Sequence, residues 1–183
     1  SIKKIERTQG KVSISGLEVK KGDQIYRSKG AVALRTVGKT LHADKAAFSS
    51  DNGEKVELKG FINSQRIEMR TQGVLNPELF QAYIPKVDQF SGRFKFNLGL
   101  TGVTSKPRVT GKGDLEKSTI KLSFFPDTFQ DITGGIVFRG KEMSIGQVTA
   151  RANGAPVALS GTVQHRGVRP TFYDVVINYN NWE

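Results

Sequence analysis

The chain has no cysteine and only two histidines in 183 residues, which removes disulfide frameworks, thiolate metal sites and most nucleophile–base pairs. The histidines, His42 and His165, sit in neither an H-E-x-x-H spacing nor a nucleophile elbow. No apolar run approaches the roughly 18 residues of a membrane-spanning helix, and no charged segment followed by an apolar one opens the chain as a signal peptide would. There is no starting Met. Opening at Ser1 on a charged stretch, the sequence is read as a piece of a longer protein whose targeting and anchoring segments lie elsewhere. Acids are also scarce, 17 against 28 Lys and Arg. Five of them sit around expected turns: Asp127 and Asp131 flank one, and Asp44, Asp51 and Glu54 cluster around another. Asp51-Asn52-Gly53-Glu54 lacks the spacing of an EF-hand loop, and no carboxylate pair converges on a cleft. The residues point away from an enzyme, and no cofactor or metal is called for.

Apolar alternation punctuated by glycine takes the place of these features. The pattern G-x-x-V-x-L-x-G-x-[IV] occurs twice, from Gly53 to Ile62 and from Gly154 to Val163, each time directly after an asparagine, Asn52 or Asn153. Asn-Gly before alternating apolar residues signals a hairpin, because both residue types tolerate the positive φ angles of a type I′ turn. A related strand precedes each copy, residues 30–35 and 134–139, so an internal duplication over about 30–63 and 134–164 is expected within one β-rich domain spanning 1–183. Strands are read at 10–17, 30–35, 40–48, 55–62 and 65–72. Asn76-Pro77 then places a cap and a first-turn proline ahead of Leu79, Phe80, Tyr83 and Ile84, and Pro85 closes the segment, predicting one short helix near 77–84.

After the helix the alternation lengthens. Phe94, Phe96, Leu98 and Leu100 share one face, with Arg93, Lys95 and Asn97 on the other. Ile120, Leu122 and Phe124 follow, then Ile136 and Phe138, Met143, Ile145 and Val148, then Val157, Leu159 and Val163. The last strand, 172–179, is apolar on both faces. This one-sidedness predicts an antiparallel sheet with one face out of water. With almost no helix to cover that face, the sheet must close into a barrel, fold into a sandwich or curl round a groove. Glycines inside strands, Gly60, Gly111, Gly113 and Gly161, favour strong curvature. The fold class expected is all-β: a strongly curved, largely antiparallel sheet curling round an apolar groove, with the one short helix. A strand of about six residues spans roughly 20 Å, the scale of an extended acyl chain.

The net charge of +11 is spread between apolar positions, not gathered into an arm; the short exceptions are Lys3-Lys4 and Lys20-Lys21. Dispersed lysines solvate strand faces and discourage edge-to-edge pairing, and they attract anionic headgroups. A stacking platform for single-stranded nucleic acid needs aromatic and basic residues on the same face, whereas at Arg93-Phe94-Lys95-Phe96 they alternate, so no nucleic-acid partner is expected.

The ordered set from Pro107 to Leu115, Asp131 to Phe138 and Ala152 to Gly161, preceded by the G-x-x-x-x-P turn at Gly102 to Pro107, resembles the C-terminal region of the TamB family within the AsmA-like lipid-transport superfamily. The likeness covers roughly residues 70–165, and the Asn76-Pro77 helix start shares it. It implies a β-taco-like segment of a long periplasmic protein of a Gram-negative bacterium. That protein would be anchored in the inner membrane outside this chain and would reach an Omp85-type outer-membrane partner. Its groove would hold lipid acyl chains, or unfolded outer-membrane strands, for transport to and assembly of the outer membrane. The lining expected from the alternation is Val56, Leu58, Ile62, Phe94, Phe96, Leu98, Ile120, Leu122, Phe124, Ile136, Phe138, Met143, Ile145, Val157, Leu159 and Val163. The alternative is a closed β-sandwich serving as a structural, carbohydrate-binding or protein-binding module without lipid.

Overall fold

A computed structural model describes residues 9–21, 24–81, 84, 86–166 and 169–179. They form β1 (Gln9–Ile14), β2 (Glu18–Lys21), β3 (Gln24–Ser28), β4 (Val32–Val37), β5 (Thr40–Ser50), β6 (Lys55–Ile62) and β7 (Arg66–Leu75). A single helical turn, α1 (Glu78–Gln81), precedes β8 (Val87–Val103), β9 (Lys106–Leu122), β10 (Thr128–Gly140), β11 (Glu142–Ala152), β12 (Ala155–Arg166) and β13 (Arg169–Tyr179). The protein is all-β, as its alternation predicts. Its strands make one antiparallel sheet in the order β1-β4-β5-β6-β7-β8-β9-β10-β11-β12-β13, with β2 and β3 off this path. Among the described residues β1 and β13 do not pair, so the sheet is not closed into a barrel.

The chain divides into two compact units, one of residues 1–73 and 99–107, the other of 74–98 and 108–183. The boundary falls inside β7, β8 and β9, not at a linker. The first unit buries Tyr26, Val32, Ala46 and Ile67. Its β5 is shared: residues 40–45 pair with β4 and residues 48–50 with β3. The hairpin of β2 and β3 is absent from the strands expected of the sequence, because each strand is too short to show alternation. A legible signal lies in its charges. Arg27 sits opposite Glu18 in the hairpin, and its guanidinium donates to Glu18 at 2.7 Å and to both oxygens of Asp51 at 2.9 Å. Those carboxylates raise the Arg27 pKa further, the hydrogen bond to Asp51 contributing most.

The two Asn-Gly pairs turn differently. Asn153 and Gly154 have φ of 49° and 82° and form a two-residue link between β11 and β12, as a type I′ turn requires. Gly53 has φ of 81° while Asn52 stays at negative φ, in a four-residue link closed by bonds from Gly53 N–H to Ser50 O and from Ser50 N–H to Glu54 O. Identical dipeptides therefore differ in tolerance. Asn153→Ala is expected to lose about 1 kcal/mol, because alanine resists the left-handed region that asparagine accepts, while Asn52→Ala stays within about 0.5 kcal/mol. Urea denaturation of the two single variants checks this.

The glycine that ends each V-x-L-x-G copy has one role in both. Gly60 and Gly161 have φ of 139° and 146°, and a Cβ at either would lie 2.1 Å from a carbonyl oxygen of the next strand, Glu68 or Asp174. The backbones approach at these points more closely than any side chain permits.

The helix expected over 77–84 is one turn, Glu78–Gln81, in the structure; Ala82, Tyr83 and Pro85 lie outside the described residues. Asn76 Oδ1 accepts from Glu78 N–H at 3.1 Å, and Pro77 is fully buried. Among the described residues no helix is long and apolar enough to cross a membrane.

Candidate functional site

The second unit carries a broad apolar face, assembled by register. Ile136 and Phe138 of β10 lie opposite Ile145 and Met143 of β11, which lie opposite Gly161 and Val163 of β12. Val148, Ala150 and Ala152 oppose Leu159, Val157 and Ala155. Strict alternation would put Met143 and Ile145 on the face opposite Val148 and Ala150, since odd and even positions point apart. The register shift between Ile145 and Val148 supplies one extra residue and returns all of them to one face.

That shift belongs to a line of irregularities across neighbouring strands. Lys117 of β9 and Asp131 of β10 have positive φ, 46° and 52°, beside register shifts between their strands. Next to them Gly134 passes so close to Val148 that a Cβ would lie 2.8 Å from the Val148 Cα. Bulges of this kind bend the strands they interrupt.

The centre of the face is packed. Leu115, Phe129, Ile132, Val148, Ala150 and Ala152 are buried, Phe129 at 2% exposure. Phe94 and Phe96 stack with ring centroids 5.7 Å apart, and the Phe94 ring lies over Gly113, where a Cβ would come within 2.3 Å of it. An aromatic ring thus covers the hole a strand glycine leaves.

The expected lining residues fall into distinct environments. Phe94, Phe96, Val157 and Val163 are buried. Leu98, Ile120, Leu122, Ile136, Phe138, Met143, Ile145 and Leu159 are half-buried on the same unit, and Val56, Leu58 and Ile62 are half-buried in the first unit. Phe124 differs from the rest. Strand β9 ends at Leu122, so Phe124 sits in a turn at 67% exposure and not on the strand face. Sequence alternation did not assign Leu115, Phe129 and Ile132 to this face; the bulges at Lys117 and Asp131 interrupt the period beside them.

The opposite face is charged and open to water: Arg93, Lys95 and Lys112 are exposed, with Arg93 3.5 Å from Glu116 and Arg151 4.0 Å from Asp131. Strand β13 is apolar on both faces, leaving Phe172, Tyr173 and Val176 more than half exposed. Partial burial raises the Tyr173 pKa.

Among the described residues no three His, Asp or Glu side chains gather as metal ligands. A shallow depression of about 300 Å³ on the first unit is lined by His42, Asp44, Lys59, Phe61, Glu68 and Arg70. Its acids are engaged: Asp44 lies 3.4 Å from Arg35 and Glu68 3.2 Å from Arg66. His42 packs on Phe61, and His165 meets the edge of Phe138. Comparison with protein families, with characterised proteins and with solved structures finds no match to this chain.

Proposed function

We propose that the apolar face of the second unit is a groove that holds lipid acyl chains, and that the chain is a segment of an inner-membrane-anchored periplasmic bridge of the TamB type. Unfolded outer-membrane strands are the other cargo such a surface suits, and an Omp85-type protein is the partner the parent protein would reach.

The half-buried rim of the face carries this reading. Met143, Ile145, Ile136, Phe138 and Leu159 are neither sealed in a core nor placed on the charged side. They lie on a single sheet, and among the described residues there is no second sheet and no long helix. Partial exposure of contiguous apolar surface is unfavourable by about 25 cal/mol per Å² against full burial. Acyl chains laid along it would exchange water for side chains while their headgroups stay in solvent. Holding and passing lipid in this way needs no reaction and no bound cofactor.

Native mass spectrometry of the purified segment tests the proposal, with Ile145→Glu as the comparison. Ile145 is half-buried, so a carboxylate there disturbs a groove more than it disturbs the packed centre. Phospholipid adducts on the wild type, lost in an Ile145→Glu variant whose circular dichroism and melting are unchanged, are the expected result. A folded wild type without lipid overturns it. That outcome favours a closed β-module, a reading to which the burial of Phe94, Phe96, Val157 and Val163 gives weight.

A further inference from the structure

The turn between β9 and β10 displays a large apolar side chain that the fold makes no use of. Phe124, at 67%, is the most exposed of the large hydrophobic residues described. A single exposed apolar residue is ordinary on a protein surface. This one is distinguished by how firmly the chain around it is held.

Phe125 N–H donates to Leu122 O at 3.2 Å, and Ser123 N–H donates to Lys86 O at 3.1 Å. The Lys121 ammonium donates to Phe125 O at 3.1 Å and also to Pro126 O. The Phe125 ring stacks on the buried Phe129 at 5.1 Å, and Asp127 Oδ1 accepts from Asn153 Nδ2 at 2.5 Å. Every neighbour of Phe124 from 121 to 127 that could pull it inward is thus engaged elsewhere, and the ring is held out toward solvent. A rigid apolar projection loses little freedom when it binds.

Its charged surroundings select what it can bind. The Lys86 ammonium stands 5.7 Å from the Phe124 ring centroid, within cation–π reach, and Lys86 is itself exposed. Lys121 lies at the base of the same turn, and Asp127, its one acid, is tied to Asn153. An aromatic tip with ammonium groups set behind it matches the boundary of an anionic bilayer. The ring can enter below the headgroups while flexible lysine stems reach the phosphates. A net charge of +11 draws the whole chain to such a surface.

We propose that the Phe124–Phe125–Pro126 turn, with Lys86, is a docking point for an anionic phospholipid surface. The inference does not depend on the groove, since Phe124 lies off that face.

Vesicles of phosphatidylcholine with and without phosphatidylglycerol test it. A Phe124→Trp variant in a Trp182→Phe background carries one tryptophan, at the tip of the turn. Its emission is expected to shift to the blue with phosphatidylglycerol vesicles and to be quenched by brominated acyl chains, with little change on neutral vesicles. Phe124→Ser, in the otherwise unaltered chain, is expected to weaken co-sedimentation with the anionic vesicles about five- to ten-fold without altering the melting temperature. Lys86→Glu is expected to weaken it as well. Binding by Phe124→Ser equal to the wild type, or a tryptophan at 124 whose emission stays at the value of the free protein, overturns the proposal. Either result assigns vesicle attraction to dispersed charge. Ile145→Glu separates the two readings, because loss of the groove removes bound lipid but leaves vesicle docking unchanged.

Discussion

Gly161→Ala is expected to destabilise the protein by about 3 kcal/mol or more, lowering its melting temperature by roughly 6–12 °C for a chain of this size. Two effects combine. The backbone at 161 has φ of 146°, which an L-residue adopts only under strain. A methyl group there would also lie 2.1 Å from Asp174 O and 2.8 Å from the Val175 Cα. The obstruction is backbone, so no side-chain rotation relieves it; β12 and β13 would have to separate or slip. Gly154→Ala is the control. Its φ of 82° is equally unfavourable to alanine, but nothing lies within 4 Å of a Cβ, so it should lose only about 1–2 kcal/mol. Thermal melts of the two variants check this: equal losses would mean that strand approach contributes nothing at Gly161. Gly60→Ala should behave as Gly161→Ala does, because Glu68 O stands at the same 2.1 Å.

Phe129→Ala is expected to lose about 3–5 kcal/mol, the range for removing a large ring from a packed interior. Phe129 is 2% exposed, pairs with Ala152 on one side and Ile120 on the other, and supports the Phe125 ring. Truncation leaves a cavity that small residues such as Ala150 and Ala152 cannot fill, and it removes the base on which the β9–β10 turn rests. Amide hydrogen exchange at residues 123–127 should accelerate in this variant beyond the rest of the second unit. Phe124→Ala, five positions earlier, should leave urea stability within about 0.5 kcal/mol, because that ring has little burial to lose. The same residue type thus spans nearly the full range of effect within five positions. A small loss at Phe129 would contradict the packing described.

Much of the strand layout is legible in the residues. The alternation from Lys55 to Ile62 matches β6 from end to end, and Asn153-Gly154 marks the turn between β11 and β12. Arg93 and Lys95 lie in water while Phe94 and Phe96 are buried, as period-two alternation requires. Other features escape this reading for identifiable reasons. Strand β9 runs unbroken from Lys106 to Leu122 because Lys117 takes up an irregularity as a bulge without ending the strand, which alternation alone does not reveal. Asn52 carries the same dipeptide signal as Asn153 but lies in a longer link, where Asp51 is bound by Arg27 from a hairpin the alternation does not reveal. Phe124 looks like the next inward residue after Leu122, and only the end of the strand turns it outward.

What the sequence determined by itself is local: which of the longer segments extend, where Asn-Gly reverses the chain, and that charge and grease lie on opposite sides of strands such as β8. Those properties depend on the preferences of neighbouring residues and on the two-residue period of a pleated chain. Tertiary structure alone decided which strands become neighbours, where bulges return Met143 and Ile145 to the face of Val148, and which apolar side chains are sealed, half-open or exposed. Those outcomes depend on register and curvature. A single added residue in one strand reverses every side chain beyond it, and its cause lies in contacts with a strand distant in sequence.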